Sequence, residues 1–232
     1  MRATLGPFII RSTLLSEKPR DYSILVALLS VMIMFFVSAL AWKDSNSLYA
    51  SLAGNPEKTF VEGEYWRLVT GLAVHADFKH FLSNAVLFGL FSYLLYGYFG
   101  FWIYPLAAVA MGSLTNYLAL LTYAPQVRLV GSSGVVYWMA GFWLTMYMLI
   151  ERRYTVKRRL LHGVGVGLIL LVPSALKATV SYRSHAIGLA LGIGLAAVYF
   201  MANKHEIRAA EVLEYDEDYA PPGSWPNDAP IN

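Results

Sequence analysis

The hydrophobic positions of the chain fall into six long runs that are separated by shorter polar stretches. The runs cover about residues 24–42, 78–99, 101–123, 130–150, 160–176 and 185–202. Each run is close to the roughly 20 residues that an α-helix needs to cross a bilayer, and none alternates like a barrel strand. The pattern predicts an all-α polytopic membrane protein, a bundle of six transmembrane helices in one domain over residues 23–204.

The segments outside these runs predict three further features. Residues 1–22 carry charges of both signs without a cleavable signal pattern, and we expect a cytoplasmic N-terminal arm. Residues 205–232 are acidic and rich in proline, which predicts a disordered cytoplasmic tail. The connection over residues 43–77 is long and aromatic, so we expect an ordered loop at the membrane interface.

Composition narrows the classes of function. Hydrophobic residues make up 57% of the chain and charged residues 14%, whereas soluble domains carry about 25% charged residues. The absence of cysteine excludes disulfides, thiol catalysis and thiolate metal sites. We therefore expect a protein embedded in the lipid bilayer, with no cofactor, no metal and no nucleic-acid partner. Its oligomeric state does not follow from the sequence.

Basic residues predict the orientation of the helices. The connection between the fourth and fifth runs is the most basic stretch, with Arg152, Arg153, Lys157, Arg158 and Arg159. Short basic connections stay in the cytoplasm, so six spans place both termini there as well. The second, fourth and sixth runs then begin at the external face of the membrane.

Four polar residues lie near these external helix starts: His80, Asn84, Ser133 and His185. Since a helix rises about 1.5 Å per residue, we expect all four at one depth in the outer leaflet, facing the bundle interior. A serine and a histidine supply a nucleophile and a general base. His80 and Asn84 share one helix face and are suitable donors to an oxyanion. No carboxylate accompanies them, which predicts a dyad.

Each of these residues alone also has a common structural explanation. A serine among glycines is most often a helix contact, and a histidine or asparagine in a span is often an interhelical hydrogen-bond partner. The coincidence of residue type, depth and position favours chemistry. We also expect a small glycine face on the sixth run to pack on the fourth run and draw His185 towards Ser133. These glycines are Gly188, Gly192 and Gly194 on the sixth run, and Gly134 and Gly141 on the fourth.

Four motifs follow one another from Trp66 to Gly192, over more than half of the chain. They are Trp66-Arg67, His80-x-x-x-Asn84, Gly131-x-Ser133-Gly134 and His185-x-x-Gly188-x-x-x-Gly192, with Tyr137 one turn after the serine. In order and spacing they resemble the rhomboid intramembrane serine proteases, especially the compact six-span bacterial type. The resemblance implies a serine endopeptidase that cleaves transmembrane segments of membrane proteins near their external face through an acyl-enzyme, in the bacterial inner membrane.

The resemblance also implies roles for individual residues. Ser133 would be the nucleophile and His185 the base, and His80, Asn84 and the Ser133 N–H would form the oxyanion hole. Supporting residues would be Gly131, Gly134, Tyr137 and Gly188, with Tyr137 packed against the His185 ring. Trp66-Arg67 and His75 are expected to be structural.

Two other functions stay open at this point. An inactive rhomboid-like protein that only binds membrane proteins would typically lack the serine or the histidine, and this chain has both. A small transporter or channel would favour internal repeats with polar sites near the mid-plane, and no repeat is visible. One departure from the family concerns residues 91–99, where many members have an acidic residue and this chain has none.

Overall fold

The computed structural model describes residues 4, 5, 7–44, 47–175 and 181–216, with the backbone alone at residues 4, 5 and 169–175. Its helices are α1 Ser23–Lys43, α2 Ser47–Leu52, α3 Arg67–Ala73, α4 Phe78–Phe99, α5 Ala108–Leu120, α6 Ser133–Ile150, α7 Val156–Ala175 and α8 Tyr182–Ala209. A 3-10 turn covers Leu14–Ser16, and π-helical segments cover Glu57–Val61 and Trp102–Ala107. The strands are β1 Thr4–Leu5, β2 Phe8–Ser12 and β3 Val212–Tyr215.

Within the described chain, five helical stretches are long and apolar enough to cross a membrane. They are α1, α4, the stretch Trp102–Leu120 that includes α5, α6 and α8. The predicted all-α membrane architecture is thus confirmed, and α4 has the predicted bounds 78–99. Helix α7 overlaps the predicted fifth span, 160–176, but is not among the five, so the count of six spans stays a prediction.

The predicted third span is interrupted near its start. Tyr104, inside the π-helical segment, has φ −135° and ψ 124°, which is an extended conformation. Pro105 follows it, and the residue before a proline disfavours the helical conformation. The regular helix α5 therefore begins only at Ala108.

Helix α6 is the centre of the bundle and packs against α4, α5, α7 and α8, while α1 packs on α4. Five of its large side chains are fully buried: Trp138, Met139, Phe142, Met146 and Ile150. In a membrane helix, burial on this scale requires neighbours on several sides. The surrounding helices therefore enclose α6 from Trp138 to Ile150, while Ser133 at its start is half-buried.

Helices α6 and α8 approach until their backbones touch. A Cβ atom on Gly188 would overlap the carbonyl oxygen of Gly134, and one on Gly192 would overlap that of Trp138. Since no L-residue larger than glycine fits such a contact, these positions set how close the two helices come. Close approach through small residues is the usual way in which membrane helices pack.

The predicted glycine face is confirmed in most of its members and wrong in one. A Cβ on Gly141 of α6 would lie 2.6 Å from the carbonyl oxygen of Leu189, so this glycine belongs to the contact. Gly194 has nothing within 4 Å of its would-be Cβ and does not belong to it. Gly194 lies only two residues after Gly192, and positions two apart do not share a helix face.

Strands β1, β2 and β3 form a small sheet that joins the N-terminal arm to the residues after α8. Strand β2 pairs antiparallel with β1 on one side and with β3 on the other, where Ile9 lies opposite Glu214. The predicted disorder of residues 205–232 is therefore wrong for its first part, because α8 continues to Ala209 and the backbone of β3 is paired. Residues 217–232 of the predicted tail lie outside the described residues.

The N-terminal arm is also attached to the helical bundle. The backbone N–H of Arg20 donates to the Gly97 carbonyl at 3.0 Å, and the Tyr98 hydroxyl donates to the Glu17 carbonyl at 3.2 Å. Gly97 and Tyr98 lie in the last turn of α4. The arm thus holds the end of the helix whose first turn carries His80.

We predict that Gly192→Ala destabilises the protein whereas Gly194→Ala does not. Both changes lie inside α8 and both gain up to about 1 kcal/mol of helix propensity. Only the first drives a methyl group into the backbone of α6, and such overpacking costs about 1–3 kcal/mol. Thermal unfolding in detergent measures the difference. Equal melting temperatures for the two variants would contradict the backbone contact.

Candidate active site

Ser133 is the first residue of α6 and follows a tight turn. Gly131 in this turn has φ +102°, a conformation that only glycine adopts readily. Its N–H donates to the Gly71 carbonyl at 2.9 Å, which ties the turn to α3. The first N–H groups of a helix have no acceptor within the helix. The Ser133 N–H therefore points out of the start of α6 and can serve an external acceptor.

The long first connection braces the segment that leads to this turn. The Gly54 N–H donates to the Leu129 carbonyl at 2.9 Å, and the Leu129 N–H donates back to Gly54 at 2.7 Å. The Asn55 side chain donates to the Pro125 carbonyl at 2.8 Å. Residues 54 and 55 of the connection therefore hold the chain just ahead of the serine. Sequence reasoning missed this role, because nothing near residue 54 indicates its partner.

Arg67 and Asn116 stabilise the same connection from inside. Arg67 is buried, pairs with Glu64, and donates to the carbonyls of Ala50 and Ala53 at 2.6 and 3.0 Å. The buried Asn116 of α5 donates to the Leu68 carbonyl at 2.9 Å. The expectation that Arg67 is a structural residue agrees with these contacts, while Trp66 beside it is exposed.

His80 and Asn84 lie in the first two turns of α4. The carboxylate of Asp77 caps this helix and accepts the His80 N–H at 2.7 Å. A Cβ on Gly131 would lie 2.8 and 2.9 Å from two atoms of the His80 ring, so the ring rests against the turn before Ser133. Asn84 is buried and its amide donates to the His80 carbonyl at 3.1 Å, with one further N–H on the same nitrogen.

His185 lies in the first turn of α8 and is held by a ring contact. Its imidazole stacks on the Tyr137 ring with centroids 3.9 Å apart and an angle of 14°, which is the contact that the resemblance implied. The side chain is 4% exposed. Neither ring nitrogen has a hydrogen-bond partner among the described residues.

The structure therefore brings both histidines to the start of α6. The His80 ring lies against Gly131, and the His185 ring lies on Tyr137, one turn after Ser133. The described contacts contain no hydrogen bond between Ser133 and His185. Catalytic hydrogen bonds are often long without substrate and tighten only in the complex. The arrangement can thus support a serine nucleophile with a histidine base.

His75, expected to be structural, is fully buried and lies beside the residue before the candidate nucleophile. Its Nε2 atom accepts the Ser132 N–H at 3.3 Å, and its ring is edge-on to the His80 ring, with centroids 5.1 Å apart. Burial lowers the pKa of His75 from 6.5 to about 3, and neighbouring His80 acts in the same direction. The ring is therefore neutral at physiological pH.

Comparison with known proteins agrees with these observations. Residues 62–202 match the family model of the Rhomboid domain, a range that contains all four motifs. A protein of Bacillus subtilis (strain 168), named "Putative rhomboid protease YdcA", is 29% identical to this chain over 128 residues. The similarity covers 53% of this chain and 61% of that relative, so it spans less than two thirds of the relative's length.

Proposed function

Because the chain belongs to the rhomboid family, we propose that it is an intramembrane serine endopeptidase with Ser133 as nucleophile and His185 as general base. The observation that carries this proposal is the position of His185, which is buried and stacked on Tyr137, one turn after Ser133. A buried polar group without a hydrogen bond costs about 1–3 kcal/mol, and a catalytic role is one reason why a native protein keeps such a group. Here the ring lies on Tyr137, one turn after Ser133, whose hydroxyl is the group that such a base would serve.

The proposed reaction has two halves. His185 takes the proton of the Ser133 hydroxyl while the Ser133 Oγ attacks the carbonyl carbon of the scissile peptide bond. The imidazolium then gives this proton to the leaving amine, and an ester to Ser133 remains. In the second half His185 takes a proton from water, the hydroxide attacks the ester, and Ser133 regains its proton. Tyr137 holds the imidazole ring in place through both halves.

We propose that three donors stabilise the oxyanion: the Ser133 N–H, the His80 ring and the Asn84 amide. The position of the His80 ring against Gly131 supports this assignment, because the turn at Gly131 leads directly to the Ser133 N–H. Asn84 lies one turn further along the same face of α4. Donors fixed in advance are effective because they need no reorganisation as the charge develops.

The chain is an integral multi-pass membrane protein, and we propose transmembrane segments of other membrane proteins as its substrates. We place both termini and the basic stretch 152–159 in the cytoplasm, and the site towards the external face of a bacterial inner membrane. Backbone polar groups in lipid are hydrogen-bonded within their own helix, so a substrate helix must open locally before attack. A site near the membrane surface favours cleavage where the substrate helix leaves the lipid.

The first test is covalent labelling. A fluorophosphonate probe should label the wild-type protein at Ser133, and Ser133→Ala should abolish both labelling and cleavage of a model transmembrane substrate. Ser132→Ala should keep substantial activity, because its backbone N–H remains. Mass spectrometry identifies the labelled residue. A wild-type protein that binds membrane proteins without labelling or cleavage would instead be an inactive binding module.

The oxyanion assignment is tested by Asn84→Ala with Ser83→Ala as its matched control. Both side chains donate to the His80 carbonyl, at 3.1 and 2.8 Å, so either change removes the same type of intrahelical bond. Asn84 is buried and Ser83 is exposed. We expect kcat to fall about 10²–10³-fold for Asn84→Ala and to stay near wild type for Ser83→Ala. Equal rates in the two variants would reduce Asn84 to a structural residue.

The orientation is tested with introduced cysteines, since the natural chain has none. Glu57 of the first connection and Lys157 at the start of α7 are both exposed. An impermeant maleimide added to intact spheroplasts should label Glu57→Cys, and should label Lys157→Cys only after permeabilisation. The reverse pattern would place the site on the cytoplasmic side.

A further inference from the structure

The turn before the candidate nucleophile needs an external anchor. Gly131 has no side chain to restrict its backbone, and its positive φ is accessible without strain only because of that. A loose turn would leave the Ser133 N–H poorly aimed, and a misplacement of about 1 Å can cost about 10²-fold in rate. Contacts from outside the turn must therefore fix its backbone.

Two acceptors hold the successive N–H groups of this turn. The Gly71 carbonyl accepts the Gly131 N–H at 2.9 Å, and the His75 Nε2 accepts the Ser132 N–H at 3.3 Å. The Ser132 hydroxyl also lies 3.4 Å from Nε2. The next N–H along the chain is that of Ser133. The turn is thus clamped immediately before the N–H group assigned to the oxyanion.

The hydrogen bonds around His75 select one tautomer. The Ser38 hydroxyl of α1 lies 3.1 Å from Nδ1 and donates its own proton to the Ala73 carbonyl at 2.9 Å. Its oxygen can therefore only accept, and the proton it accepts must be carried by Nδ1. With that proton on Nδ1 in a neutral ring, Nε2 has a lone pair and can accept the Ser132 N–H. The hydrogen bond at Nδ1 therefore determines that Nε2 is an acceptor.

The ring itself is fixed within the bundle. Ser38 and His75 are both fully buried, and the indole N–H of Trp42, one turn after Ser38 on α1, donates to the His75 carbonyl at 2.8 Å. The Phe81 ring packs edge-on, with centroids 5.6 Å apart. Helix α1 contributes no residue to the proposed dyad or oxyanion hole. It is nevertheless linked to Ser132 through the His75 ring.

We propose that His75 is a positioning residue for the oxyanion donor at Ser133. Its neutral ring, with the proton on Nδ1, fixes Ser132, and Ser38 of α1 fixes the ring. This inference rests on the proposed protease function, because a fixed Ser133 N–H matters only if Ser133 forms an oxyanion. Under this proposal α1 affects catalysis through His75, without itself contacting the substrate.

The experiment compares two isosteric replacements in the full-length protein. His75→Gln keeps an acceptor near the position of Nε2, and His75→Asn keeps a donor near Nδ1 but no acceptor in reach of Ser132. We expect His75→Asn to lose about 10²-fold in kcat and in the rate of fluorophosphonate labelling, with KM little changed. His75→Gln should recover most of that loss. Equal losses at matched melting temperatures would show a packing role and overturn the proposal.

Ser38→Ala tests the other side of the ring, with Ser113→Ala as its control. Ser113 of α5 donates only to the Val109 carbonyl of its own helix, at 2.8 Å. We expect roughly a tenfold loss of kcat for Ser38→Ala, the value of about one hydrogen bond, and none for Ser113→Ala. A wild-type kcat in Ser38→Ala would show that Ser38 of α1 is not needed to position His75.

Nitrogen NMR of the ring gives a readout that does not depend on activity. In protein with ¹⁵N-labelled histidine, five side chains contribute signals, and His75→Gln assigns one of them. The wild-type His75 should carry its proton on Nδ1, with an unprotonated Nε2. A proton on Nε2 would overturn the proposal even if the protease is active. Conversely, if the fluorophosphonate probe does not label the wild-type protein, the protease function is rejected, whichever tautomer His75 adopts.

Discussion

The contact between the backbones of α6 and α8 is the constraint on which the site depends. Lipid offers no hydrophobic force that drives two apolar helices together, so their association relies on close packing. Glycine at positions 188 and 192 lets the carbonyls of Gly134 and Trp138 reach the backbone of α8. Gly188 lies one turn after His185, and Gly134 follows Ser133. The contact that joins the helices therefore also lies next to the two proposed catalytic residues, each at the start of its helix.

A second constraint is the satisfaction of buried polar groups. Arg67, Asn116 and His75 are all buried, and each has hydrogen-bond partners that tie distant segments together. His185 is equally buried, yet both of its ring nitrogens are without partners among the described residues. Unpaired polar groups are costly in a low-dielectric interior, and the proposed role of His185 as a base gives its lack of a partner a reason.

The turn at Gly131 is held by a single stretch of chain. The Gly71 carbonyl, the His75 ring and the His80 ring all contact residues 131 or 132. These residues lie between positions 71 and 80, from the end of α3 to the first turn of α4, and Ser38 and Trp42 of α1 brace this stretch at His75. Helix α1, the end of α3 and the start of α4 thus support the turn before Ser133, while α8 carries His185.

The sequence by itself determined the helical membrane architecture and the identity of the candidate residues. Hydropathy located α1, α4, α6 and α8, because a helix in lipid must be both long and apolar. Polar residues at helix starts, with the order of the motifs, pointed to Ser133, His185, His80 and Asn84. These signals are local, so they can be read without knowing what packs against what.

Only the tertiary structure decided which distant groups meet. The pairing of Gly54 with Leu129, the strand β3 on β2, and the reach of Ser38 through His75 to Ser132 are contacts between segments far apart in the chain. No periodicity or turn signal in the sequence predicts such pairings, because each hydrogen bond stabilises the fold only when two distant segments are already in contact. Gly192 and Gly194 show the same limit. Both are glycines on α8, but only Gly192 faces the backbone of α6, and the sequence does not say where α6 lies.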